Sequence, residues 1–256
     1  MLTNIHPKAK IGKNVIIEPF ATVYEDVVIG DNCWIASNAV IMDGARIGNN
    51  CKIYPGAIIS AESQDLKYNG EYATTEIGEN TTIREYVTIH KGTSDKKTTI
   101  VGSNCLLMSY VHVAHDCIIG DNIVIANSAA IAGHAQIDDY VVIGGNCGVQ
   151  QFVRIGKMAM IGGMTGVSRD VIPYGLSTGN RNFLNGINVV GLRRNNFPNK
   201  DIISLTNAYK DIFKTANLTE NLSRLNGQFK ENSLVNEVLE FINKDKKRPI
   251  CTPFLK

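Results

Sequence analysis

Residues 113–137, VAHDCIIGDNIVIANSAAIAGHAQI, place an aliphatic side chain at every sixth position: Val113, Ile119, Ile125, Ile131 and Ile137. A helix repeats at about 3.6 residues and an alternating strand at about 2, so neither yields a strict six. A hexapeptide β-helix does: three short strands close one triangular coil of about 18 residues, each turning its aliphatic residue inward. The same phase extends outward from this stretch. It runs from Ile5 to Ile59, returns at Ile77, Ile83 and Ile89, and continues unbroken from Val101 to Val167.

A second small or β-branched residue follows four positions after these aliphatics, from Ala9 and Val15 to Val171, with Gly, Asp or Asn at the turns between. Cys33, Cys51, Cys105, Cys117 and Cys147 all occupy this small slot, and no pair has C-x-x-C spacing. They read as small buried hydrophobes, not as metal ligands or disulfides.

Two segments break the pattern. Asp65, Glu71 and Asp95 stand where the phase demands aliphatics, and a carboxylate is too costly to bury unpaired. Residues 60–76 and 90–100 are therefore expected to loop out of the solenoid. Beyond about residue 173 the hexads stop. Residues 1–190 read as a β solenoid with those two loops, and 191–256 as a C-terminal helical domain that covers one open end. Helical spacing over 204–216 follows a start signal at Pro198-Asn199, a second stretch follows Thr219, and Ser233 caps a third.

The 256 residues are 44% hydrophobic and 20% charged, as suits a soluble globular chain, and a net charge of +2 is too small to argue for nucleic acid. The Met1 end lacks a signal-peptide run, and no stretch of about 18 apolar residues occurs. No membrane insertion and a cytoplasmic location are expected.

Residues one coil apart stack roughly 4.8 Å apart, so one column reads His115, Gly133, Gln151 and the next Asp116, His134, Phe152. His112, His115 and His134 occupy neither interior slot and project outward or lie at corners. A solvated surface histidine is the plain reading of any one of them. Three of five on two neighbouring coils point to a site. Two chemistries stay open: a metal with an open position, or a general base oriented by its carboxylate. A flat prism wall is no pocket, so a loop or a second copy must supply the other wall.

The hexads, QDLKYNGE (64–71), TIHKGT (88–93), HVAHDC (112–117), AGH (132–134), IGG (161–163) and GLRR (191–194) resemble the UDP-N-acetylglucosamine 3-O-acyltransferases over essentially the whole chain. The resemblance implies a homotrimer of left-handed parallel β-helices with active sites at subunit interfaces. The left hand comes from the resemblance alone and runs against the usual crossover rule. It implies transfer of a 3-hydroxyacyl chain from acyl carrier protein to the sugar 3-hydroxyl, the first step of lipid A biosynthesis, with no cofactor and no metal.

Residue by residue, the resemblance makes His115 the general base, Asp116 its orienting carboxylate and the Gly133 N–H the oxyanion donor. Asp65 and Lys67 match loop contacts to sugar nucleotide and donor. His112, His134 and Gln151 match residues lining the glucosamine and acyl-carrier arm; Asn188 and Arg194 match contacts to the diphosphate and uridine side. Gly163 matches the position that measures acyl-chain length, and its missing side chain implies room for a fairly long chain; a turn glycine is the alternative. Val190 and Asn195 stand where the family often carries Glu and Arg. Arg193, Arg194, Lys200, Lys210 and Lys214 supply positive charge for an acidic carrier protein, or simply a solvated helix face.

Two rivals share the solenoid. An N-acyl- or N-acetyltransferase acts on an amino sugar, and the pathway's N-acyltransferase carries an extra N-terminal domain ahead of hexads that here begin at Ile5. A zinc carbonic anhydrase needs three histidines spaced differently from His112, His115 and His134.

Overall fold

The computed structural model describes residues 3–225, 229, 231–245 and 248–254. Two- to five-residue strands recur along the chain and stack into three sheets of nine, eight and ten strands, parallel except for the last pair of the third, as the faces of a prism. Its coils wind left-handed. The register is the period of the sequence: Val113 pairs with Ile131, Ile119 with Ile137, and Ile125 with Ile143. Ile125, Ile131 and Ile143 are completely buried, as are Cys51 and Cys117 in the small slot. All six cysteines are free and buried.

One residue at nearly every corner adopts the left-handed backbone conformation. Asn14, Asn32, Asn50, Asn80, Asn104 and Asn122 form one such column, with φ from 55° to 58°. Asparagine tolerates this region better than most L-residues. Asp116, His134 and Phe152 hold the same slot at the corner between the first and second sheets, with φ of 57°, 61° and 64°. Their stacking is therefore fixed by backbone, not by chance.

The chain leaves the coil over residues 62–73 and 91–97, segments shorter than the 60–76 and 90–100 expected. Strands Ile58–Ala61, Thr74–Ile77, Thr88–His90 and Thr98–Val101 reach into their ends. Both loops open at that same corner, and their bases are tied by pairing of Thr74 with Thr98. The second loop thus lies directly beneath Asp116.

Past Val167 an antiparallel hairpin, Gly175–Thr178 with Phe183–Ile187, ends the third sheet. Helices α1 (Val189–Arg194), α2 (Asn199–Ile212), α3 (Leu218–Arg224) and α4 (Ser233–Lys244) follow. Asn217 is the side-chain cap of α3, which starts before Thr219, and Asn232, not Ser233, is that of α4; they accept from Glu220 N and Val235 N. Arg154 on the second sheet anchors α4: it pairs with Asp170 at 2.7 Å and donates to the Phe241 and Asp245 carbonyls at 3.3 and 3.1 Å.

Candidate active site

His115 Nδ1 lies 2.9 Å from Asp116 Oδ2. A carboxylate only accepts, so Nδ1 carries the hydrogen and Nε2 keeps its lone pair. Asp116 is fully buried. The 91–97 loop surrounds it with donors: Thr93 N at 3.0 Å and Lys96 N at 3.2 Å to Oδ1, and Thr93 Oγ1 at 2.6 Å to Oδ2. Burial alone would raise its pKa, but the Thr93, His115 and Lys96 hydrogen bonds outweigh it and hold the carboxyl below the ordinary range.

Burial, reinforced by mutual repulsion, lowers the pKa of the surrounding imidazoles. His112, whose Nδ1 meets the Thr88 hydroxyl at 2.8 Å, is pushed down to about 4 by burial, with His90 and His115 adding to it. His90, buried and edge-on to His112 at 5.0 Å, shifts in the same direction, again chiefly by burial. These rings hydrogen-bond or pack; they do not serve as cations near pH 7.

Above His115 a cavity of about 840 Å³ rises along the first sheet. Its outward column runs His112, Ala130, Gly148, Gly166 in register, so the side chains shrink coil by coil and leave a bare strip. A Cβ at Gly148 would meet nothing within 4 Å, so packing does not demand glycine there. A Cβ at Gly133 would lie 2.6 Å from His115 Nε2 and Cε1. That glycine makes room for the ring, and its N–H has no acceptor among the described residues.

The structure brings His112, His115, Gly133 and Gln151 to this cavity, with Asp116 behind His115. His134 is placed elsewhere. It sits around the corner, stacked on Phe152 at 4.4 Å, with Nδ1 3.2 Å from Asp95 Oδ2. That distance suits an ion pair, but the alignment is not that of a hydrogen bond. Burial lowers the His134 pKa more than Asp116 and Asp95 raise it. Asp65 Oδ1 accepts from Lys67 N at 2.9 Å, a turn within the first loop, and it is Gln64 of that loop that reaches this cavity.

Asn188 Oδ1 accepts from Gly191 N at 3.0 Å and its Nδ2 donates to Met158 O at 2.9 Å. Arg194 and Val190 are exposed on α1, and Asn195 Nδ2 donates back to Gly191 O at 2.9 Å. Gly163 lies outside this cavity lining and is exposed. Sequence reasoning overlooked Arg169 and Arg181, which line the upper cavity, and Thr93. Arg169 was findable: it stands one coil above Gln151.

His115, Asp116 and His134 each offer a ligand atom within 4.8 Å of the others, the geometry in which a metal could sit. The donor set argues otherwise. Asp116 accepts from four hydrogens, one of them from His115 Nδ1, so a cation would have to break the cradle it enters.

Residues 170–251 match the family described as UDP N-acetylglucosamine O-acyltransferase, domain 2, and residues 8–33, 26–61 and 98–133 match bacterial transferase hexapeptide repeats. Over 257 residues, 97% of both chains, the sequence is 46% identical to the acyl-[acyl-carrier-protein]–UDP-N-acetylglucosamine O-acyltransferase of Rickettsia canadensis. The chain belongs to this acyltransferase family. The Aquifex aeolicus enzyme of the same name is 57% identical over 195 residues, 74% of each chain. A UDP-N-acetylglucosamine acyltransferase from Bacteroides fragilis superposes with a TM-score of 0.94 at 44% identity, covering 97% of this chain and 98% of that one. Membership in the acyltransferase family sets aside the carbonic anhydrase reading.

Proposed function

We propose that the chain transfers a 3-hydroxyacyl group from acyl carrier protein to the 3-hydroxyl of UDP-N-acetylglucosamine, opening lipid A synthesis, with His115 as the general base. The observation that carries this is the buried, fully solvated-by-donors Asp116 holding His115 Nδ1 at 2.9 Å beneath the cavity. Nε2 takes the proton as the sugar oxygen attacks the thioester carbonyl. The tetrahedral oxyanion accepts from the Gly133 N–H, an interaction that strengthens in the transition state. Collapse breaks the C–S bond, and the departing thiolate takes the proton back from His115. Asp116 favours the imidazolium between these steps.

The bare strip over Ala130, Gly148 and Gly166 suits an extended acyl chain, with Arg169 and Arg181 at its upper end. The remaining wall comes from a second copy. On the third sheet the outward column reads Leu106, Val124, Val142 and Met160, one aliphatic per coil. Set head-to-tail, that column meets the bare strip of the next copy, and three such contacts close a ring. Leu66, fully exposed between Asp65 and Lys67, is placed to carry that loop to the neighbour's site. Gly163, Asn188 and Arg194 act, in this reading, from across that interface.

Arg193, Arg194, Lys200, Lys210 and Lys214 are exposed and offer the carrier protein a basic landing face. Among the described residues no helix is long and apolar enough to cross a membrane, and we place the reaction in the cytoplasm with its two substrates. Mass spectrometry of products formed from UDP-N-acetylglucosamine and a ladder of 3-hydroxyacyl-carrier-protein donors tests the reading. An O-linked acyl ester is expected; an amide, or no product, overturns it.

A further inference from the structure

The 91–97 loop does more than decorate the solenoid. Its Thr93 is buried, and the hydroxyl donates at 2.6 Å to Asp116 Oδ2, the same oxygen that His115 Nδ1 reaches at 2.9 Å. Two donors share one carboxylate oxygen. Each withdraws charge the other would use, so the pull of Asp116 on the imidazole depends on whether Thr93 is present. The Oδ1 oxygen has its own donors, Thr93 N and Lys96 N, and those are backbone groups that no side-chain change removes.

We infer that Thr93 is a positioning residue that tempers the basicity of His115 by competing with it for Asp116 Oδ2. This rests on the reading of His115 as the base. Without the Thr93 hydroxyl, Oδ2 concentrates its charge on His115 Nδ1–H and favours the imidazolium more strongly. The base then stays protonated to higher pH, and the proton is returned less readily to the leaving thiolate. With the hydroxyl in place the carboxylate orients the ring and leaves it able both to take and to give a proton.

The Thr93 hydroxyl also accepts from Asp95 N at 3.3 Å, so its removal frees that donor too. Glu71 of the first loop, bonded to Ser94 N at 2.9 Å, is a further charge near Asp116, the partner of His115. His134 faces the His115 ring edge-on at 5.0 Å from the coil above, and His90 and His112 lie on the strands before it. Asp95, 3.2 Å from His134, and Lys96, whose Nζ donates to Asp116 O at 3.2 Å, come from the loop.

The test compares unmodified protein with Thr93→Val, Thr93→Ala and Thr93→Ser, reading the His115 titration by NMR of ring-labelled histidine and the pH dependence of kcat/KM. Thr93→Ala guards against a valine methyl that unfolds the loop, and thermal melting checks both. In Thr93→Val or Thr93→Ala the His115 midpoint and the acidic limb of kcat/KM are expected to rise together by roughly half to one pH unit. Thr93→Ser restores the hydroxyl and brings both back. A midpoint that is unchanged or lower in folded Val and Ala variants overturns the tuning role, even if stability falls. If the NMR midpoint rises while the kinetic limb stays put, the tuning stands and the assignment of His115 as the base fails.

Discussion

Gly133 and His115 are matched across one coil: the place where a Cβ would stand on residue 133 lies 2.6 Å from the imidazole Nε2 and Cε1. Real Cβ atoms do not approach so closely, and Gly133 is not among the positive-φ glycines, so the backbone itself tolerates alanine there. The constraint is the ring. Gly133→Ala should push His115 off its position while leaving the fold intact. A fall in kcat of roughly 10²-fold or more is expected from such a displacement, with little change in Tm; steady-state kinetics and thermal melting check the pair.

Asp116→Asn separates charge from backbone. Asparagine adopts nearly the same φ at six positions of a neighbouring corner, so this backbone conformation accepts it. Its amide, however, brings hydrogens to a cradle already built of donors, and it cannot stabilise an imidazolium. The expected loss in kcat is roughly 10²- to 10⁴-fold.

The same carboxyl has a pH signature. Its folded pKa is held below the ordinary value of 3.8, so it contributes stability above the unfolded value, lost as pH falls through the folded one. Melting temperatures followed between about pH 6 and pH 2 should therefore fall more steeply in unmodified protein than in Asp116→Asn. Equal slopes would mean the cradle does not favour the charged form.

Much of this was legible in the sequence because the solenoid has one interaction per residue class. An aliphatic every six residues fixes the interior, and stacking at one coil's distance fixes which side chains share a column. Asp65, Glu71 and Asp95 marked the loops because a core position cannot hold them. Facing was harder. His134 was given its correct height, but its left-handed corner turns it away from the cavity. The bonds by which Asn188 caps α1 and ties it to Met158 were not legible in the sequence either. Thr93 entered only as the end of TIHKGT, on a loop without period, and Arg181 falls where the hexads have ended, so neither was marked as a site residue. The cap of α4 was placed one residue late because Asn232 adjoins another capping residue, Ser233, and α3 begins at Leu218, just ahead of Thr219.

Gly148 offers a test of where the acyl chain runs. Open space faces its missing side chain, so Gly148→Met should fold normally and fill the strip. In a competition among 3-hydroxyacyl-carrier-protein donors, preference is expected to move several carbons shorter. Unchanged preference in Gly148→Met together with a shortened one in Gly163→Met would place the chain on the other side of the interface.

Metal removal should be silent. The Asp116 oxygens, which a cation between His115, Asp116 and His134 would need, are engaged with protein donors. Prolonged chelation followed by assay is expected to leave kcat within about twofold, well under a 1 kcal/mol change in barrier. Elemental analysis near one zinc per chain, with activity lost on chelation, would reinstate a metal mechanism.

The most direct measurement is the rate of ester formation by His115→Ala, with folding verified by its melting curve. Removing a general base that takes the proton in the attack step should lower kcat by roughly 10²- to 10⁴-fold with the KM for UDP-N-acetylglucosamine little changed. A folded His115→Ala protein that makes the product at the unmodified rate would contradict the base assignment outright.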